Sequence, residues 1–240
     1  MNVERFFDAC LVADNELATP LPEALCGAVT YGVAKFGATA DVPILRAGGL
    51  NAVVGANDPR YPAGADVIDL QLAPDDLLRG LKLSHDRWWP LSGQPRADGK
   101  KVVVHIEARE FGSLARGMSR LARAFPAAVF VIDPFQAGKE SKWQAGVCLA
   151  DENNIWLTTR GLFAAVRIWP DQSEREALHF VAGEVGAGKL LFASGLTPEG
   201  LSAQRPTPAE WLGSIEFLDD AQRELILWRN SCEALNIELA

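Results

Sequence analysis

The sequence is short of the residues that most directly announce a chemistry. It holds three histidines and four cysteines in 240 residues. Cys10, Cys26, Cys148 and Cys232 are scattered with no C-x-x-C spacing, so neither a zinc knuckle nor a disulfide framework is indicated. Four buried thiols in a reducing compartment are the expectation. No G-x-G-x-x-G turn follows the first strand-like run, which counts against a dinucleotide-binding Rossmann fold, and Ser194 lacks the G-x-S-x-G elbow of a serine hydrolase. Positive charge is in deficit as well. Lys and Arg total 23 against 31 Asp and Glu, a net charge of -8 with no local basic patch, so neither nucleic acid nor an anionic membrane is an expected partner. No stretch approaches about 18 uninterrupted apolar residues, and no basic N-terminal region leads into an apolar run. The expectation is a cytoplasmic protein without a membrane span. Internal repeats, low-complexity tracts and linkers are missing too, which favours a single domain over residues 1–240.

What is present is a large core in alternating pieces. Hydrophobic residues make up 48% and charged residues 22% of the chain, the balance of an ordinary globular protein. The second half alternates short β-branched runs with segments of helical period. Val102 to Ile106, Val129 to Asp133, Ile155 to Thr158 and Leu190 to Ala193 read as strands. Leu114, Met118, Leu121 and Ala122 recur at helical spacing after the first of these, and a second helical segment runs through Trp143, Val147 and Leu149. A third carries Ala177, Leu178, Val181 and Val185 behind Ser173 as N-cap, and Asp219 caps a final helix through Leu225, Ile226 and Leu235. Consecutive strand-then-helix units imply a parallel sheet, because parallel neighbours need a crossover connection.

The first half is less regular. Phe6 to Val12, Ala52 to Ala56, Ala65 to Leu70 and Leu78 to Leu83 are its strand candidates. Ala24 to Phe36 reads as a helix between the first two, with Val42 to Leu45 as a competing strand. Eight strands in a chain of this length predict an α/β fold of the (β/α)8 TIM-barrel class, which typically needs about 250 residues. Asn57 to Gly64, Pro90 to Gly99 and Thr197 to Pro208 are the expected loops.

With the strands placed, several local sequences resemble the amidohydrolase-related family of metal-dependent hydrolases, lactonases and decarboxylases. Phe7-Asp8-Ala9-Cys10-Leu11-Val12 is similar to that family's opening strand, apolar-Asp-x-His-x-His. Gly80 to His85 resembles its G-x-K-apolar strand, and Val102-Val103-Val104-His105 its strand ending in His. Leu121 to Pro126 followed by Val131-Ile132-Asp133-Pro134 looks like the helix and strand that end in Asp-His. Ile155 to Leu162 is similar to the strand leading into Ser-Gly-Leu, Leu190 to Gly195 to the last strand L-L-F-G-S-D, and Asn230 to the Asn of the terminal helix. The departures fall on the metal ligands. Cys10, Val12, Pro134 and Gly195 stand where the resemblance implies two histidines, a third histidine and an aspartate, and His105 alone matches.

A hydrolytic metal needs roughly three protein ligands and an open position to bring bound water to a pKa of about 7. His105 with Cys10 falls short of that, and small apolar residues and free Cys commonly just fill a barrel interior. No cofactor is therefore expected, and a divalent metal such as zinc only if replacement ligands exist. His105 reads either as a catalytic group at a strand end or as a satisfied core imidazole. Asp133 reads either as its catalytic partner or as a capping carboxylate. Lys82, inside an apolar strand, is a candidate contact for a substrate carboxylate or a Schiff-base amine. His85-Asp86-Arg87-Trp88-Trp89 offers a base, an acid, a guanidinium and aromatic walls, a composition that suits either a ligand loop or a loop packed down by its tryptophans. Arg160, at the end of its strand, is expected to pair with Asp133 or bind an anion, whereas His179 falls on an outer helix as a structural residue. Substrate-binding candidates are thus Lys82, His85, Arg87, Trp88 and Arg160. Three functions stay open: a divergent hydrolase of a small carboxylated or cyclic ester or amide, a non-catalytic binding barrel, and a metal-free lyase or aldolase. The expected partner is a small molecule, and self-association into a homo-oligomer is left open.

Overall fold

The computed structural model describes residues 6–13, 29–36, 50–55, 67–71, 103–107, 115–136, 143–163, 174–196 and 206–235, together with Gly200, Ala203 and Gln204; in the first five segments it is the backbone that is described. Eight strands form one sheet in chain order. They are β1 (Phe6–Ala13), β2 (Val29–Phe36), β3 (Leu50–Gly55), β4 (Val67–Gln71), β5 (Val103–Glu107), β6 (Val129–Ile132), β7 (Ile155–Thr158) and β8 (Leu190–Leu191). Every neighbouring pair is parallel. Helices α1 (Ala115–Ala124), α2 (Trp143–Val147) and α3 (Glu174–Glu184) fill the crossovers from β5 to β8, as parallel pairing demands. After β8 come α4 (Pro208–Gly213), α5 (Asp220–Glu224), a π turn (Leu225–Arg229) and α6 (Asn230–Leu235).

The core lies between this sheet and its helices. Phe130, Ile132, Ile155, Leu157, Leu190 and Phe192 pack with Met118, Leu121, Ala177, Leu178 and Val181 in one buried cluster. Alternate residues of β6 and β7, Val131 and Trp156, are buried outside that cluster. β6 and β7 are thus covered on both faces, which is why they read as continuous apolar runs rather than alternating ones. In α1 the buried Met118, Leu121 and Ala122 follow the i, i+3, i+4 spacing of one helical face.

Polar staples hold the N-terminal ends of the last strands. Asn154 Nδ2 donates to the carbonyls of Ala122, Phe125 and Ala128 at 3.0 Å each, closing the end of α1 onto the start of β6. Lys189 Nζ donates to Glu152 O, Asn153 O and Ile155 O at 3.0 to 3.3 Å and sits 5.0 Å over the ring of Trp156. Burial pulls the Lys189 ammonium below the ordinary lysine range, while Glu233 and Asp151 act in the other direction. Glu152 accepts from Arg123 Nε and from Ser119, and these bonds hold its carboxyl below the usual carboxylate range.

The seam between the first and last strands is made differently. Among the described residues no ladder joins β8 to β1; the π turn packs against both. Phe192 N, just past β8, donates to Ile226 O in that turn at 2.9 Å. A π turn accommodates one extra residue and takes carbonyls out of the regular helical ladder, so Ile226 O is placed to accept from a strand. One turn later Asn230, 1% exposed, donates Nδ2 to Ala187 O and Leu190 O, both at 2.7 Å. The terminal helix is thereby tied to the last strand at two levels.

Most predicted elements stand where expected, and three readings need correction. Residues 29–36 of the expected Ala24 to Phe36 helix form β2. Val29, Tyr31 and Val33 also fit a period of two, and pairing with β1 and β3 on either side overrides the helical spacing. Among the described residues β2 is one of eight strands and β4 pairs directly with β5; Leu78 to Leu83 and Val42 to Leu45 lie outside the described residues. The expected loop Thr197 to Pro208 is helical at Gly200 and Ala203 and ends one residue sooner, because Thr207 accepts from Glu210 N in a capping box and Pro208 is the first residue of α4. The expectation of four buried thiols fails as well. Cys148 is exposed on the short 3-10 turn after α2, and Cys232 is half-buried on α6, where burial pushes its thiol up. Asp219 caps α5 as expected, with Gln222 closing the box. No described helix is long and apolar enough to cross a membrane.

Candidate functional site

Parallel strands deliver their C-terminal ends to one face, so residues just after β6, β7 and β8 meet without being near in sequence. Asp133 follows the last residue of β6 and is fully buried. Its Oδ1 accepts from the hydroxyl of Thr158, the last residue of β7. Its Oδ2 accepts from Arg160 Nη1 at 3.0 Å. The same Thr158 Oγ1 accepts from Arg160 N at 3.2 Å, so one hydroxyl orients both the carboxylate and the backbone that carries the guanidinium. Burying a carboxylate is costly unless it is paired and hydrogen-bonded; both conditions are met. Arg160 keeps 16% of its side-chain surface open to solvent.

The end of β8 shapes the same mouth. Thr159 Oγ1 accepts from Ala193 N at 3.0 Å, and Thr159 N donates to Leu191 O at 2.9 Å. The two strand ends are thus sutured where regular pairing stops. Ser194 is buried, and its Oγ accepts from Leu196 N at 3.1 Å. Gly195 adopts a left-handed backbone with φ 66°. A Cβ built on it would stand 2.9 Å from Arg160 Nε, closer than real Cβ atoms come, and 3.0 Å from Arg160 Cγ. Arg160 occupies the volume that any other residue at this position would claim.

The expected pairing of Arg160 with Asp133 is therefore present. His105 belongs to β5 at the backbone level of Asp69 on one side and Val131 on the other. It was expected at the strand's C-terminal end; β5 continues through Ile106 and Glu107, because its pairing with β4 persists that far. Cys10 and Val12 lie on β1. Lys82, His85, Arg87 and Trp88 lie outside the described residues. His179 is exposed on α3, its ring edge-on to Phe217 at 4.7 Å, in keeping with a structural residue. Thr158, Thr159 and the conformational role of Gly195 were not foreseen. A hydroxyl closing an otherwise apolar strand was the available signal for Thr158.

A catalytic metal, which the family resemblance implies, would need roughly three ligands with free lone pairs. At the ends of β6 to β8 the donor set does not suit one. Both oxygens of Asp133 already accept, one of them from a guanidinium that would repel a dication, and Pro134 and Gly195 bring no donor side chain. Among the described residues no group of three or more His, Cys, Asp or Glu converges.

No family model and no curated protein matches this sequence. Solved structures do match in three dimensions. An amidohydrolase 2 from Bifidobacterium longum subsp. infantis is similar with a TM-score of 0.61 at 17% identity, over 98% of this chain and 99% of that one. A putative 2-pyrone-4,6-dicarboxylic acid hydrolase from Pseudomonas putida gives 0.61 at 16% identity, with 100% of both chains covered. An amidohydrolase from Burkholderia multivorans with bound zinc gives 0.62 at 14%, over 97% of this chain and 99% of that one. At these identities the likeness is one of fold, and by fold the chain is a (β/α)8 TIM barrel.

Proposed function

We propose that the chain is a divergent hydrolase of the amidohydrolase-related kind, acting at the C-terminal mouth of the sheet on a small carboxylated or cyclic ester or amide. The observation that carries this reading is Asp133, a fully buried carboxylate gripped by Arg160 and Thr158 at the strand ends. That face is where enzymes of this fold collect their reacting groups, and a dicarboxylic acid hydrolase is among the similar structures. Hydrolysis of an ester or amide needs a base to activate water and a positive group to stabilise the oxyanion. In this reading His105, one strand over from Asp133, is the base, and Arg160 meets the negative charge of the substrate. Lys82, His85, Arg87 and Trp88, from the segment joining β4 to β5, add an anion contact and walls. A metal-assisted form would draw its ligands from β1 to β5, His105 and Cys10 among them.

A second reading, a barrel that binds its ligand without turning it over, is favoured by Pro134 and Gly195 standing at implied ligand positions. Turnover separates the two. Small carboxylated lactones, esters and amides are offered to the purified protein; acid release from the lactones and esters is followed by pH-stat titration, and the amine freed from the amides by chromatography. The expected result is hydrolysis of at least one compound, lost in His105→Ala while the thermal midpoint holds. No hydrolysis of any compound by the folded protein would replace the hydrolase with the binding barrel. Hydrolysis surviving in His105→Ala would remove that residue from the mechanism.

A further inference from the structure

The Arg160 guanidinium lies between two positions that are far apart in sequence. At one edge Nη1 donates to the buried Asp133 Oδ2 at 3.0 Å. At another, a Cβ built on Gly195 would stand 2.9 Å from Nε. Nε and Nη1 are bonded to the same carbon, so the backbone at 195 and the Asp133 carboxylate face each other across the width of a single guanidinium. Glycine is what permits this. The Cβ of any other residue would enter the arginine, and the φ of 66° strains most side chains as well. Thr158 fixes the pair, its hydroxyl donating to Asp133 Oδ1 and accepting from Arg160 N.

Charge balance shows what the arrangement replaces. A buried carboxylate is tolerated when a cation neutralises it. With the acid that the family resemblance implies at position 195, two carboxylates would flank this gap, and a dication is the ion that balances two. With Gly195 one carboxylate is left, and one guanidinium balances it. A dication added to this pair would meet like charge at close range, in surroundings that screen poorly because Asp133 is fully buried. It would also find both oxygens of Asp133 already accepting.

We propose that the Arg160 guanidinium is the resident cation of this mouth: seated in the space that Gly195 leaves, it holds the place beside Asp133 that a divalent metal ion would need, and keeps such an ion out. The missing acid and the built-in cation compensate each other, so Gly195 and Arg160 act as one unit. The inference concerns the ends of β6 to β8 alone. It holds whether or not the protein turns over an ester or amide, and whether or not β1 to β5 bind an ion.

Zinc serves as the probe, with its binding rather than turnover as the readout. By calorimetry, Asp133→Asn leaves the zinc affinity of the wild type unchanged, because Asp133 ligates no ion. Arg160→Ala combined with Gly195→Asp removes the cation and returns the second acid; this double variant binds zinc about tenfold or more tightly than the wild type, as an added charged ligand requires. Adding Asp133→Asn to it abolishes the gain. Aspartate is among the residues that visit the left-handed backbone region, which suits it to position 195 once the arginine is gone. A measurement on the unaltered protein stands beside these variants. Anomalous scattering from zinc-soaked crystals shows no ion within ligation distance of Asp133, with Arg160 in place. Zinc on Asp133 in that crystal, a wild-type zinc affinity that falls in Asp133→Asn, or no gain in the double variant would each overturn the proposal. Failure to hydrolyse any compound would remove the hydrolase and leave this inference standing.

Discussion

Replacing Asp133 by alanine is expected to lower the stability of the protein by about 3 kcal/mol, the lower end of the range for removing one partner of a buried ion pair. The lower end applies because Arg160 keeps part of its surface in water, so its stranded charge is partly solvated. Two further losses follow: the Thr158 hydroxyl loses its acceptor, and the fork at the mouth loses its anchor. Urea unfolding of the wild type, Asp133→Ala, Arg160→Met and the double variant measures the effect. The double variant should lose less than the sum of the two single ones, because removing both charges leaves neither stranded. Strict additivity, or a single-variant loss below about 1 kcal/mol as for an exposed pair, would mean that the carboxylate is not held as described.

An effect of similar size is expected at the other end of the last strand. In Asn230→Asp the amide that donates to Ala187 O and Leu190 O at 2.7 Å is replaced by an oxygen facing two carbonyl oxygens. Both acceptors lose their donor in a fully buried place, and the expected loss is about 3 kcal/mol at neutral pH. The pH dependence has a definite sign. Burial against carbonyls raises the pKa of the introduced carboxyl above its unfolded value of about 3.9. The folded state then holds a proton that the unfolded state has released, so stability falls as pH rises between those two values. Asn230→Ala should lack this slope. Denaturant midpoints of both variants between acid and neutral pH provide the check, and parallel curves would place Asn230 elsewhere than at the start of β8.

The strands from β5 onward were legible because each is a short apolar run bounded by polar or helical sequence, the pattern that two-sided burial imposes. The pairing of Arg160 with Asp133 was legible for a related reason: adjacent parallel strands bring their last residues together. β2 was not, since Val29 to Phe36 carries apolar residues at both helical and strand spacing and only its two neighbours decide between them. The role of Gly195 could not be read from sequence. A glycine at a strand end signals a turn, whereas its part as a slot for Arg160 arises from a contact between two loops. The π turn was equally hidden, because its residues satisfy ordinary helical period and the widening lies in the backbone bonding of Leu225–Arg229. The family resemblance pointed correctly to the fold. The same comparison exposed Pro134 and Gly195 as departures, and the structure supplies a physical counterpart for the second of them.

The most direct test of this account is a crystal structure of the unaltered chain. The account predicts the Asp133 carboxylate accepting from the Thr158 hydroxyl and from Arg160 Nη1, with the arginine stem resting on Gly195. An Asp133 carboxylate turned away from Arg160, or ligating a metal ion, would contradict it.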